Sequence, residues 1–262
     1  MTVLTNDGLL TLAGQLGVQT LPLVLSVGPQ QNSHHELALA QERARADLVA
    51  NRVLDSYGDV EPETAAALFV LAQPDRELAM RLFTPEGQVR VCVARRGESH
   101  VQAVRRGDSL DVRTLWSDGS VDSLARPFLD ALGRATAAEV VNFSALASDL
   151  RERFDAATTS DQFASAVHSF GVEETDAVEY GLALASCHAY AEVVAYAYAD
   201  GVTDRSPGAV VVYDTARGRI VAAPGVASDQ QIWSTLTPGT DHRVAQAISA
   251  LIDRLPGGRW LS

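Results

Sequence analysis

The stretches Arg96–Leu132 and Arg217–Leu255 carry the same punctuation, and a chain that repeats itself this way is held to a fold of two similar halves. In the first, Arg96-Gly97, the apolar run Val101–Val104, Gly107, a strand-like Leu110–Leu115, the turn Ser117-Asp118-Gly119-Ser120 and a helix-like Val121–Leu132 follow one another. In the second come Arg217-Gly218, Ile220–Ala223, Gly225, Ile232–Leu236, Thr237-Pro238-Gly239-Thr240 and Asp241–Leu255. The offset of about 120 residues is far longer than a solenoid period. It predicts strand, strand, strand, helix twice over, in halves of about 1–140 and 141–262 that share one core within a single domain. A surface formed across two halves suits a scaffold better than a catalytic cleft.

The material for that core is ample, with 47% hydrophobic residues. A net charge of −12 disfavours nucleic acid and anionic membrane as partners. All 21 basic residues are arginine, which fits a GC-rich genome. Cys92 and Cys187 sit in apolar runs and are expected as free thiols in a reducing cytosol. Leu9–Val27 is interrupted by Gln15, Gly17, Gln19 and Pro22, so neither a signal peptide nor a spanning helix is expected. The expected place is the cytoplasm.

Along the chain, Thr5, Asn6 or Asp7 caps a helix bearing Leu9, Leu12 and Leu16, and Leu21–Val27 reads as a short buried strand. Helices are expected over Glu36–Leu54 and from Pro62 to Leu71, the latter opened by proline in its first turn. Glu77–Phe83, the turn Thr84-Pro85-Glu86-Gly87, and Val89, Val91 and Val93 read as a hairpin, continued by His100–Arg105 and Leu110–Leu115. Val121–Leu132, Ser144–Ala156, Ser160–Phe170 and Glu173–Ser186 are helix candidates. Ala189–Tyr198, Ala209–Tyr213, Arg219–Ala223 and Gln230–Leu236 form a second strand block, interrupted by a polar loop at Asp200–Gly208, and Asp241–Leu255 ends the series. Short turns between strands make the sheet largely antiparallel, and strands grouped apart from helices make the class α+β.

Little of this carries catalytic chemistry. Without lysine there is no P-loop and no Schiff base, and neither a dinucleotide fingerprint nor a nucleophile elbow occurs. His34, His35 and Glu36 are consecutive, so their side chains diverge rather than chelate, and Cys187-His188 fails as a dyad for the same reason. His242 opens the last helix and is read as ordering its first turn or facing solvent. Asp200, Asp204 and Asp214 lack the spacing of a calcium loop. No catalytic, metal or cofactor site is expected. Trp116 and Trp233 read as core anchors first and as partner contacts second. Tyr190, Tyr196 and Tyr198 share one strand face, which either packs under helices or meets a partner.

The segment Trp233–Ile252 (WSTLTPGTDHRVAQAISALI) resembles the terminal motif of the EspG family, the ESX (type VII) secretion-associated proteins of actinobacteria. The Leu9–Pro29 opening and the Arg96-Gly97/Gly107 strand block are similar to the family as well, so the resemblance spans essentially the whole chain. It implies two quasi-symmetric halves around a central sheet flanked by helical bundles. It also implies a non-enzymatic cytosolic chaperone that binds PE–PPE heterodimers through the apolar tip of PPE, keeps them soluble and delivers them to the cognate ESX machinery, whose components are further partners. Family contacts come from the central sheet, a first-half hairpin and the C-terminal helical region. Here those map to Thr84, Pro85, Glu86 and Gly87 of a short hairpin, to Tyr190, Tyr196, Tyr198, Val210 and Val212 on the strands, and to Trp233 and Arg243. A monomer or weak dimer is expected. The competing readings are an α+β protein that binds or converts a small molecule at Asp200–Gly208 and the tyrosines, and a subunit that assembles through its sheet edge.

Overall fold

A computed structural model describes residues 2–261. The first half runs β1 (Thr2–Thr5), α1 (Asn6–Gln15), a single 3-10 turn (Leu23–Leu25), α2 (His34–Ala50), α3 (Pro62–Ala72), β2 (Arg76–Thr84), β3 (Gly87–Arg96), β4 (Ser99–Arg106), β5 (Ser109–Thr114) and α4 (Val121–Leu132). The second runs β6 (Phe143–Leu146), α5 (Ala147–Ala156), α6 (Ser160–His168), α7 (Glu174–Ala185), β7 (Cys187–Ala199), β8 (Val202–Arg205), β9 (Val210–Thr215), β10 (Gly218–Val226), β11 (Ile232–Pro238) and α8 (Asp241–Ile252). Apart from β8, each strand and helix of one half has a counterpart in the other, in the same order.

All strands join one antiparallel sheet in the order β1-β5-β4-β3-β2-β7-β9-β10-β11-β6, with β8 added alongside β7. The order reads alike from either end, and the halves meet at β2 and β7. One face is covered in its middle by α4 and α8, which pack on each other and on Leu78, Met80, Val91, Val93, the alanines of β7, Val210, Val212 and Val221. This is the shared core. On the other face the helices form two separate groups. Leu9 and Leu12 of α1, Leu68 and Leu71 of α3 and Leu25 cover Cys92, Ala94, Val101 and Ala103. Leu150 of α5, Val167 of α6 and Tyr180 and Leu184 of α7 cover Ile220, Ala222 and Leu236.

Local chemistry explains the helix starts. The Ser120 and Thr240 hydroxyls accept hydrogen bonds from the Ser123 and Arg243 amides, so the two matched turns are N-caps in matched positions. Thr5 caps α1 and Glu61 caps α3, with Pro62 in its first turn.

Four elements differ from expectation. Leu21–Val27 is no strand: the 3-10 turn ends at Ser26 in the left-handed region (φ 51°). Its carbonyls are claimed by side chains from the sheet, Arg90 Nη1 donating to Val24 O (2.9 Å) and Arg105 Nη1 to Leu25 O (2.8 Å) and Ser26 O (2.5 Å). Ser144–Ala156 is divided, because Phe143–Leu146 pairs with β11 as the last strand before α5 begins. Asp200–Gly208 is largely ordered: Asp200 and Gly201, both at positive φ, make the two-residue turn of a β7–β8 hairpin. The Ser206 hydroxyl then accepts from the Ala195 amide where the ladder passes from β8 to β9. Finally, Thr2–Thr5 pairs with β5 as the sheet's other edge strand.

Candidate partner-binding surface

The tyrosines lie where the two halves join. β7 alternates strictly: Ala189, Ala191, Val193, Ala195 and Ala197 are buried beneath α4 and α8, while Tyr190, Glu192, Val194, Tyr196 and Tyr198 point to the other face. The antiparallel register with β2 sets Phe83 opposite Tyr190, Arg81 opposite Glu192, Ala79 opposite Val194 and Glu77 opposite Tyr196. Directly opposed side chains in such a ladder share a face and touch. The Phe83 and Tyr190 rings stack with centroids 4.7 Å apart and 18° between planes, and Arg81 Nη2 lies 2.8 Å from Glu192 Oε2. The Tyr196 and Tyr198 rings stack 6.3 Å apart, and the Tyr198 hydroxyl donates to Glu77 Oε2 at 2.8 Å.

This strip runs from wet to dry. Tyr190 is 40% exposed and Arg81 is open to solvent. Glu77 is buried; burial raises its carboxyl pKa, against the opposing effect of the Tyr198 bond. Tyr198 is itself pushed upward by burial and by Glu77, so its phenol stays a donor. The strip lies on the sheet face that carries the two separate helix groups. The 3-10 turn sits beside it, Leu23 almost fully exposed, and α7 on the other group shows Val178 and Leu182 to solvent one turn apart.

The expected contact residues do not form one surface. Thr84, Pro85, Glu86 and Gly87 make a tight β2–β3 turn, held by the Thr84 hydroxyl donating to Gly87 O at 2.9 Å. This turn continues directly from Phe83, so the short hairpin and Tyr190 are contiguous. Val210 and Val212 are a correction: both are fully buried beneath α8 and cannot touch a partner in this arrangement. The expected strand is present with its phase inverted, since one residue of register exchanges the faces. Trp233 is three strands away on β11 and belongs to the α4/α8 face, as its pairing with Gly225 requires. Arg243 is exposed in the first turn of α8, over that same face. The core reading of the first two tryptophans fails as well, with Trp116 80% and Trp233 38% exposed, whereas Trp260 is the buried one. Cys187 donates weakly to Ala189 O, and burial raises its thiol pKa, while His188 lies in the open.

Sequence reasoning missed Phe83, Arg81 and Glu192. The alternation of β2 was visible, but its pairing with β7, about a hundred residues further on, leaves no local mark.

A continuous sheet whose two halves share one helical layer, with an aromatic strip at their junction on the other face, defines a two-halved α+β scaffold with its most distinctive surface at midline. The chain belongs to the EspG family, whose model matches residues 5–250. It is 30% identical to the ESX-1 secretion-associated protein EspG1 of Mycobacterium tuberculosis, covering 98% of this chain and 88% of that protein. Identity is 27% to the ESX-3 secretion-associated protein EspG3 of Mycolicibacterium smegmatis, with the same coverage of 98% and 88%. Among solved structures, the Mycobacterium tuberculosis type VII secretion system chaperone EspG5, in complex with a PE25–PPE41 dimer, superposes with a TM-score of 0.82 at 21% identity, over 99% of this chain and 98% of that one. Among the described residues, no helix is long and apolar enough to cross a membrane.

Proposed function

We propose that this protein is a cytosolic chaperone and adaptor of type VII secretion, without catalytic activity. In this reading it binds a PE–PPE heterodimer through PPE, shields its apolar tip and delivers it to the cognate ESX machinery. Family membership over nearly the whole chain supports the class, and the observation that carries the site is the Phe83–Tyr190 stack at the junction of the halves. An aromatic pair with Tyr190 exposed and Phe83 half-buried, beside an ion pair, offers an apolar centre with a polar rim, the composition of a partner surface. We assign the primary contact to Tyr190, Tyr196, Tyr198 and the Thr84–Gly87 turn, and a separate, secondary one to Trp233 and Arg243. The halves, about 1–140 and 141–262, act as one unit because the strip takes β2 from one and β7 from the other.

Co-expression with the PE–PPE pair encoded nearest its gene, followed by pull-down and light scattering, tests this. The expected result is a stable 1:1:1 complex with a pair that is insoluble alone. Phe83→Ala/Tyr190→Ala should weaken it at least tenfold, given about 2 kcal/mol or more for a central aromatic contact. A pair that stays soluble and never co-elutes would sink the proposal.

A further inference from the structure

The two halves differ sharply at one pair of equivalent positions. In the second half, the residues opposed at the tips of β9 and β10 are Asp214 and Arg219. Arg219 is fully buried, with Nε 2.6 Å from Asp214 Oδ1 and Nη2 2.9 Å from Oδ2. Nη2 also donates to Gly133 O at 3.1 Å, just past the end of α4. In the first half, the corresponding opposed residues at the tips of β3 and β4 are Arg95 and His100. The carboxylate has been exchanged for a guanidinium, and Arg95 is opposed on its other side by Arg76 of β2. Three basic side chains therefore stand in a row on one face.

That row is buried. Arg95 is 6% and His100 4% exposed, and the tail after α8 covers them, with the Trp260 ring stacked 6.2 Å from His100 and Arg76 donating to Pro256 O. Like charges placed directly opposite in a sheet repel. The acid paired with the row is Asp75, nearly half exposed and 3.6 Å from Arg95 Nη2. Arg76 Nη1, Arg95 Nε, His100 Nε2 and Trp260 Nε1 are all buried and find no hydrogen-bond partner among the described residues. Burial lowers the His100 pKa, opposed by the hydrogen bond of Nδ1 to Glu98 O and assisted to a lesser degree by Arg95. A cavity of about 280 Å³ between the start of α4, the end of α8 and residues 258–261 is lined by Trp260 but by none of Arg76, Arg95 and His100.

We propose that the Arg76–Arg95–His100 row, with Trp260, is a binding site for a small oxoanion of the phosphate or sulfate class, which supplies the negative charge that Asp214 supplies in the other half. Such an ion presents several acceptor oxygens to guanidinium and indole N–H groups and neutralises the repulsion along the row. The site is independent of the client strip, which lies on the opposite sheet face.

The test is titration of the full chain with potassium phosphate and with potassium sulfate against chloride at matched ionic strength, read by calorimetry and by thermal unfolding. One saturable site is expected, with Tm raised by about 5 °C at a hundredfold excess over Kd. Arg95→Gln should weaken it at least tenfold, and the exposed Arg81→Gln should leave it unchanged. Arg95→Asp, which gives the first half its own carboxylate, should abolish binding and unfold at higher temperature than Arg95→Gln in phosphate- and sulfate-free buffer. If Arg95→Gln fails to fold, the parent titration and Arg95→Asp decide. No saturable response to either anion, or a response that Arg95→Gln or Arg95→Asp leaves intact, overturns the proposal.

Discussion

Asp214–Arg219 and Arg95–His100 occupy matching places in two halves of one sheet, yet one is a bidentate ion pair and the other sets basic groups against each other with one distant acid, Asp75. The second half buries a charge and pairs it: two guanidinium nitrogens meet both carboxylate oxygens, the third, Nη1, lies 3.6 Å from Asp241 Oδ1 without a hydrogen bond, and the packing around the pair is tight. A Cβ added at Gly239 would sit 2.4 Å from Arg219 Cγ and 2.7 Å from its carbonyl oxygen. The first half buries Arg95 and His100, with Arg76 half-buried beside them, beneath the tail after α8. Repetition of the fold therefore preserved the backbone frame and left the charges free to diverge. The reason is that strand pairing and helix capping depend on backbone groups, whereas a buried charge depends on whichever side chain stands opposite it.

The same substitution in both halves is the strongest way to break this comparison. Arg219→Met strands the largely buried Asp214 carboxylate and should cost about 3–5 kcal/mol, read from urea unfolding. Smaller is Gly239→Ala, which forces the closed half to overpack and should cost about 1–3 kcal/mol by the same measurement. Arg95→Met should be the mildest, within about 1 kcal/mol of the parent in phosphate- and sulfate-free buffer, because it removes a repelled charge and an unpartnered donor along with one long ion pair. A loss at Arg95 equal to that at Arg219 would mean that the two halves are energetically alike after all.

Legibility followed the range of the interactions. The expected bounds Val121–Leu132 coincide with α4 because its cap, Ser120, is local, and Asp241 begins α8 behind Thr240 for the same reason. Asp200-Gly201 is legible, since an Asp-Gly pair between two β-rich runs is a hairpin signal, and the expected polar loop at Asp200–Gly208 overlooks it. Leu21–Val27 could not be read, since its 3-10 turn is held by Arg90 and Arg105 from strands more than sixty residues away. The phase of β9 was equally hidden, because Val210, Val211 and Val212 are chemically alike and only α8 on one face and α7 on the other tell them apart.

The sequence by itself determined that this is a two-halved α+β protein, where most of its helices and hairpins lie, and which family it resembles. Periodicity, capping residues and turn glycines act within a few residues of chain, so they are written locally. Only the tertiary structure decided that β2 and β7 join the halves, that Phe83 meets Tyr190, that Val210 and Val212 are core, and that three basic residues fall in one row. Each of those is a cross-strand or cross-layer apposition between segments remote in the chain, chosen by the burial of whole faces and not by any neighbour in sequence.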